Sequence, residues 1–203
     1  MPKIKELAEE VFRGLQLTKM ERLKINAEEG NVSEAVILNY DNISSYTENL
    51  LLKDTIDFTC YDNANKVYVD LNKKFKNVLI RPKDIVIPVK MKQHVARFVS
   101  FKNTKSIKNM LYSNDLLVVR PDEKKVSARF LFLILCTKSV QERLEKQSID
   151  SKCNPHRITV EMINELEVEL PSREEQERIL RNLEKINYKK AQLEKGFEDL
   201  IIK

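Results

Sequence analysis

Leu166-Glu-Val-Glu-Leu-Pro-Ser-Arg-Glu-Glu-Gln-Glu-Arg-Ile179 changes its periodicity halfway. Leu166, Val168 and Leu170 alternate with glutamates, the period of two expected of an exposed strand, and Pro171 cannot continue a strand ladder. Ser172 and Glu175 then have the spacing of a capping box, whose two side chains satisfy backbone N–H groups left free in a helix's first turn. Beyond it, Ile179, Leu183, Ile186, Lys190, Leu193, Phe197 and Leu200 fall at alternating steps of four and three. That is an a/d stripe, and it predicts one coiled-coil-type helix running almost to Lys203. About 30 helical residues span about 45 Å, more than a domain of this size needs to cover its own core. The stripe therefore predicts a second helix as its partner; the competing arrangement lays the helix on its own domain. Lys190 at a core position trades stability for register or partner choice, and Gly196 weakens the helix by about 1 kcal/mol relative to Ala.

Upstream, Thr159 is a cap for a short helix through Leu166, and Ser148 to Arg157 is polar enough to be a loop. Ser139 and Glu142 form another capping-box pair, predicting a short helix over about 140–147. Ala128, Leu131, Phe132, Leu135 and Cys136 share one helical face and predict a buried helix. Before Ser127 the period is that of strands, at 35–40, 66–70, 78–80, 85–89, 95–101 and 115–119, separated by Asp41-Asn42, Pro82, Asn103, Asn109 and Pro121. At the start, Ile4, Leu7, Ala8 and Val11 have helical spacing, with Gly14 as a stop, and predict a helix near 3–12.

The 203 residues are 42% hydrophobic and 33% charged, with no Trp and three Gly, which describes a globular chain with a heavily charged surface. The longest apolar run, Phe130 to Cys136, is too short to span a bilayer, which takes about 20 residues. The first twenty residues lack the apolar stretch of a secretory signal, so a cytoplasmic location is expected. The net charge of +5 conceals an uneven distribution. Residues 1–70 carry 8 Lys and Arg against 13 Asp and Glu, residues 71–129 carry 15 against 4, and residues 130–203 carry 13 against 14. A concentrated positive block attracts polyanions that the average charge would not, because screening confines surface charges to about 8–10 Å. Double-stranded DNA is the leading candidate partner; solvation of a sheet surface is the plainer explanation of the same lysines.

Several catalytic patterns fail on inspection. Asn154-Pro155-His156-Arg157 lacks the aromatic residue of the amino-methyltransferase motif, and glycines at 14, 30 and 196 cannot build a glycine-rich cofactor loop. Pro121-Asp-Glu-Lys-Lys125 holds the residue types of a metal-dependent nuclease, but contiguously in one turn instead of on two converging strands. Cys60, Cys136 and Cys153 have no ligand spacing, and His94 has no cysteine at such spacing, so neither a disulfide framework nor a zinc site is expected.

The quoted stretch around Pro171 resembles the segment that opens the long helix in specificity subunits of type I restriction-modification systems, and in related subunits of some type II enzymes. Weaker agreements follow in the same order as in that family: Leu7 to Gly14, Val36 to Ile43, Arg81-Pro-Lys-Asp-Ile-Val-Ile87 and Leu116-Leu-Val-Val-Arg120. The resemblance implies a mixed α/β (α+β) fold: a mostly β target-recognition domain over 1–170 with short helices, then a long coiled-coil-type helix over 171–203. It implies a non-catalytic DNA reader that directs a methyltransferase subunit and, through it, a restriction subunit. S-adenosylmethionine, ATP and Mg would then be needed only by those partners. A full specificity subunit resembles two such units with antiparallel helices, so one unit implies a homodimer through the helix, or pairing with another specificity chain. The resemblance transfers no base-contacting residue. On charge and hydrogen-bonding capacity, Lys73, Lys74, Lys76, Lys90, Lys92, Lys102, Lys105 and Lys108 suit phosphates, and Gln93, Arg97, Asn103 and Asn109 suit base edges. The reading from a different class is a protein-interaction module that binds methyltransferase subunits without reading DNA.

Overall fold

The computed structural model describes residues 1–15, 32–38, 65–70, 79–90, 96–98, 110–150 and 157–201. Its centre is the strand Leu116–Pro121 (β7), in which every residue is buried. Beside it lies Ile85–Pro88 (β4), also buried throughout. Such continuous apolar runs suit strands covered on both faces. Ala8–Arg13 (β1) flanks β7 on the other side and Arg97–Phe98 (β5) flanks β4, giving a four-stranded sheet in the order β1-β7-β4-β5 with antiparallel pairs throughout.

The helix expected over 3–12 is a single turn, Ile4–Leu7 (α1), after which the chain becomes β1. A ten-residue helix has little stability of its own, whereas β1 gains a ladder against β7, from Ala8 opposite Pro121 to Arg13 opposite Leu117, with one irregularity between Ala8 and Glu10. Gly14, expected as a helix stop, serves a close approach instead. A Cβ at that position would stand 2.0 Å from the Ser113 carbonyl oxygen.

A second, three-stranded sheet has the order β3-β2-β6, formed by Val32–Leu38 (β2), Asn65–Asp70 (β3) and Met110–Tyr112 (β6). β2 pairs antiparallel with β3 and parallel with β6. β6 was not expected, because Asn109 reads as a breaker, and the strand is only three residues long. The strand expected over 78–80 is represented by one bridge, Leu79 to Leu111.

Among the described residues, four helices follow α1. Ala128–Leu135 (α2) buries the apolar face expected of it, Ala128, Leu131, Phe132 and Leu135, with Cys136 half-buried just beyond. Lys138–Asp150 (α3) begins before Ser139, so the expected capping box does not form, and Thr137 Oγ1 instead donates to the Ile134 carbonyl. α3 also runs past Ser148 into what was expected to be loop, because Val140, Leu144 and Ser148 make a buried stripe. Val160–Asn164 (α4) is capped as expected, Thr159 Oγ1 accepting the Met162 N–H at 3.3 Å, but stops short of Leu166. The stretch 165–170 forms one bridge, Glu167 to Lys3, instead of an exposed strand. Its alternation survives: Leu166 and Val168 are buried while Glu167 is exposed. Arg173–Ile201 (α5) completes the chain as a helix of 29 residues, with Ser172 Oγ accepting the Glu175 N–H at 3.3 Å. Only half of that capping box is used, since the Glu175 carboxylate pairs with Arg178.

Candidate recognition surface and docking helix

Two of the sequence stretches singled out above, Arg81–Ile87 and Leu116–Arg120, meet in a buried ion pair. Asp84 is 1% exposed and Arg120 4%. Arg120 Nε donates to Asp84 Oδ1 at 2.9 Å and its Nη2 donates to Oδ2 at 3.0 Å, the two-pronged geometry that a guanidinium and a carboxylate share. Oδ2 also accepts the Tyr112 hydroxyl and the Arg81 N–H, each at 2.9 Å. Arg120 Nη2 reaches the Leu79 carbonyl at 2.9 Å, Nη1 faces Glu10 at 3.4 Å, and the guanidinium lies 5.0 Å from the centre of the Phe12 ring. Both Asp84 oxygens and all three Arg120 nitrogens are thereby hydrogen-bonded, which is what makes the buried charges tolerable. Burial, reinforced by the neighbouring Asp84 carboxylate, pushes the Tyr112 hydroxyl well above the ordinary phenol range. It stays protonated and can donate at all physiological pH values. The cluster joins β1, the turn before β4, β6 and β7. Lys83 in that turn has a φ of 73° and is paired with Glu123.

The second joint holds the long helix. Gln176, 2% exposed, accepts the Ser127 N–H through Oε1 at 3.0 Å and donates from Nε2 to the Pro171 carbonyl at 2.9 Å. One turn on, Leu180 is buried against Phe130 of α2, with Ile179 and Leu183 packed at the margin. A further turn on, Arg129 pairs with Glu184 at 2.9 Å. Sequence reasoning missed both residues: Gln176 continues the a/d spacing one step before Ile179 but is polar, and Leu180 stands beside the stripe; the single amide among the glutamates of Glu174-Glu175-Gln176-Glu177 was the available signal.

The stripe itself is divided. Ile179 and Leu183 face their own domain in part, whereas Ile186 is 60% exposed and Leu193 64%, and Lys190 is exposed. Phe197 and Leu200 belong to the same helix, and their side chains lie outside the described residues. The arrangement that lays the helix on its own domain thus applies to its first turns. An open groove of about 820 Å³ lies beside its start, lined by Phe130, Ile134, Val140, Leu170 and Ile179 among others.

Of the residues expected to touch DNA, Lys90 is exposed and its backbone bridges Arg157, and Arg97 lies in β5 opposite Val86. Lys73, Lys74, Lys76, Lys92, Gln93, Lys102, Asn103, Lys105, Lys108 and Asn109 lie outside the described residues, as do His94, Cys60, Cys153 and the 154–156 stretch. The Pro121–Lys125 segment is a turn in which Asp122 Oδ1 accepts the Lys124 N–H at 3.0 Å, and its acidic groups pair with Lys83 and Lys125. Among the described residues no three His, Cys, Asp or Glu side chains are placed to hold a metal ion, and no helix is long and apolar enough to cross a membrane.

This architecture, two small sheets locked by a buried ion pair and a long helix fastened to one corner, is similar to that of known specificity subunits. The HsdS subunit from Thermoanaerobacter tengcongensis superposes with a TM-score of 0.63 over 98% of this chain and 44% of that one, at 12% identity. A chain from the structural study of complex assembly and conformational transition of the type I R-M system superposes with a TM-score of 0.56 over 98% of this chain and 40% of its own, at 15% identity. The chain therefore spans less than half the length of either. No curated protein matches the sequence. The model of the type I restriction modification DNA specificity domain matches residues 18–201, and the chain belongs to that family.

Proposed function

We propose that this chain reads one half of a bipartite double-stranded DNA site, without catalysis of its own, and directs a methyltransferase subunit and through it a restriction subunit. Family membership over residues 18–201 carries this reading. The excess of Lys and Arg in 71–129 supports it, because phosphate neutralisation supplies most of a protein's affinity for DNA, leaving a few side chains to read base edges. S-adenosylmethionine, ATP and Mg belong to the partner subunits, and the complex acts in the cytoplasm, where the DNA is.

The half-exposed stripe supports pairing of α5 with the α5 of a second copy. Ile186 and Leu193 stand in water on a helix whose earlier turns are fastened to the domain. A two-fold pair of readers recognises a site whose outer parts are palindromic and whose gap is fixed by the helices.

The exposed seam and the adjoining groove equally suit a module that binds methyltransferase subunits without touching DNA. Titrating the full chain with a duplex at increasing salt separates the two. A DNA reader loses affinity linearly on logarithmic axes, with a slope of about 0.9 per phosphate neutralised; a module gives weak, salt-insensitive binding.

A further inference from the structure

Six of the nine basic candidates fall in two stretches, with Lys90, Lys92 and Arg97 between them. Residues 71–78, with Lys73, Lys74 and Lys76, end at Leu79, and residues 99–109, with three more lysines, end at Met110. The fold brings these two ends together. Leu79 and Leu111 are bridge partners, and the Asp84–Arg120 pair holds both: Arg120 Nη2 donates to the Leu79 carbonyl and Asp84 Oδ2 accepts the hydroxyl of Tyr112. Tyr112 lies in the three-stranded sheet, while Asp84 adjoins and Arg120 belongs to the four-stranded one. The Tyr112 ring also packs at a tilt against Phe12 of β1, with 6.3 Å between ring centres.

We propose that Tyr112, Asp84 and Arg120 are positioning residues for DNA recognition, the Tyr112 hydroxyl fixing the three-stranded sheet against the four-stranded one so that both basic stretches start from one set geometry. The inference rests on the DNA-reading function above. Base discrimination depends on placing hydrogen-bonding groups to within fractions of an ångström, whereas phosphate attraction tolerates looser placement. Loss of the hydroxyl therefore weakens sequence selection more than general affinity. A side chain that merely contributes stability lowers both only through the folded fraction.

The test uses the full chain as wild type, as Tyr112→Phe, which removes only the hydroxyl, and as Ile163→Val, a core truncation in α4 outside the hydrogen-bonded cluster. Each is used to select from a pool of randomised double-stranded DNA at moderate salt, and its binding to the unselected pool is measured at low salt. Amide hydrogen exchange is followed at Met110–Tyr112. The expected result is that Tyr112→Phe binds the pool as wild type does, enriches the wild-type motif about tenfold less, as befits a lost hydrogen bond to a charged group, and exchanges faster in β6. Ile163→Val keeps the motif. Equal enrichment by Tyr112→Phe and wild type, or unchanged exchange in β6, overturns the proposal. Wild type that binds the pool without enriching any motif defeats the DNA-reading function itself, and the exchange measurement then still decides whether the hydroxyl holds the sheet.

Discussion

The side-chain amide of Gln176 ties the start of the long helix to the start of another: its oxygen accepts the Ser127 N–H at 3.0 Å while its nitrogen donates to the Pro171 carbonyl at 2.9 Å. One partner can only donate and the other only accept, so no other residue type of this shape serves both. Gln176→Leu leaves the buried Ser127 N–H and the part-buried Pro171 carbonyl without this partner, an expected loss of about 1–3 kcal/mol in urea unfolding. An unchanged midpoint contradicts the assigned role.

Breaking the Asp84–Arg120 pair on one side strands the other charge in the interior. Asp84→Leu is expected to cost about 3–5 kcal/mol, and the double variant Asp84→Leu with Arg120→Met less than the sum of the single changes, because it leaves no orphan charge. A denaturation cycle over the four proteins checks this; additive losses count against a coupled pair.

Glu165 accepts hydrogen bonds from Lys3 and Lys5, each at 2.5 Å, and those bonds hold its carboxyl down at about 2. A depressed folded-state value stabilises the fold fully above the unfolded value near 4.5, and the contribution is lost as pH falls from there towards 2. Glu165→Gln should flatten the stability profile in that window and also at the alkaline end, where the hydrogen bond to Glu165 raises the Lys3 ammonium above its ordinary value. The group is exposed, so added salt should shrink the difference; a salt-independent difference argues against ion pairing.

Burial pushes the Cys136 thiol up to about 12, although its sulfur lies 3.7 Å from the Ala96 carbonyl oxygen. With so little thiolate at pH 8, Cys136 should resist alkylation by iodoacetamide in the native chain and react once urea unfolds it. Peptide mass mapping reads the outcome, and rapid native labelling of Cys136 contradicts the packing described.

Ile186 and Leu193 are exposed, so charges there leave the fold intact. Light scattering of the full chain should give about twice its 23.8 kDa mass, and Ile186→Asp with Leu193→Asp should halve the value without lowering the thermal midpoint. A wild-type monomer at high concentration removes self-pairing. Leu183 is a poorer probe, because it packs partly on its own domain.

Where local pattern and long-range pairing agree, the structure was legible in advance. The buried face of α2, the Thr159 and Ser172 caps and the strands at 85–89 and 115–119 all follow from residues within a few positions of one another. β1 was misread because Ala8-Glu-Glu-Val-Phe has helical spacing, and only its partner β7, more than a hundred residues away, makes it a strand. β6 was missed because three residues leave too short a pattern. The Asp84–Arg120 joint was visible only as two separate stretches, since nothing in either names the other. Gln176 was hidden because it is polar: it shares the face of Ile179 and Leu183, but the stripe was read from its apolar members.

The most direct test is to express the chain with its partner methyltransferase in cells lacking other such systems and to map every methylated base in the genome. The account predicts methylation confined to one bipartite, outwardly palindromic sequence with a fixed gap, and a changed sequence when residues 71–129 are exchanged for those of another family member. Methylation that is absent, scattered, or indifferent to that exchange contradicts it.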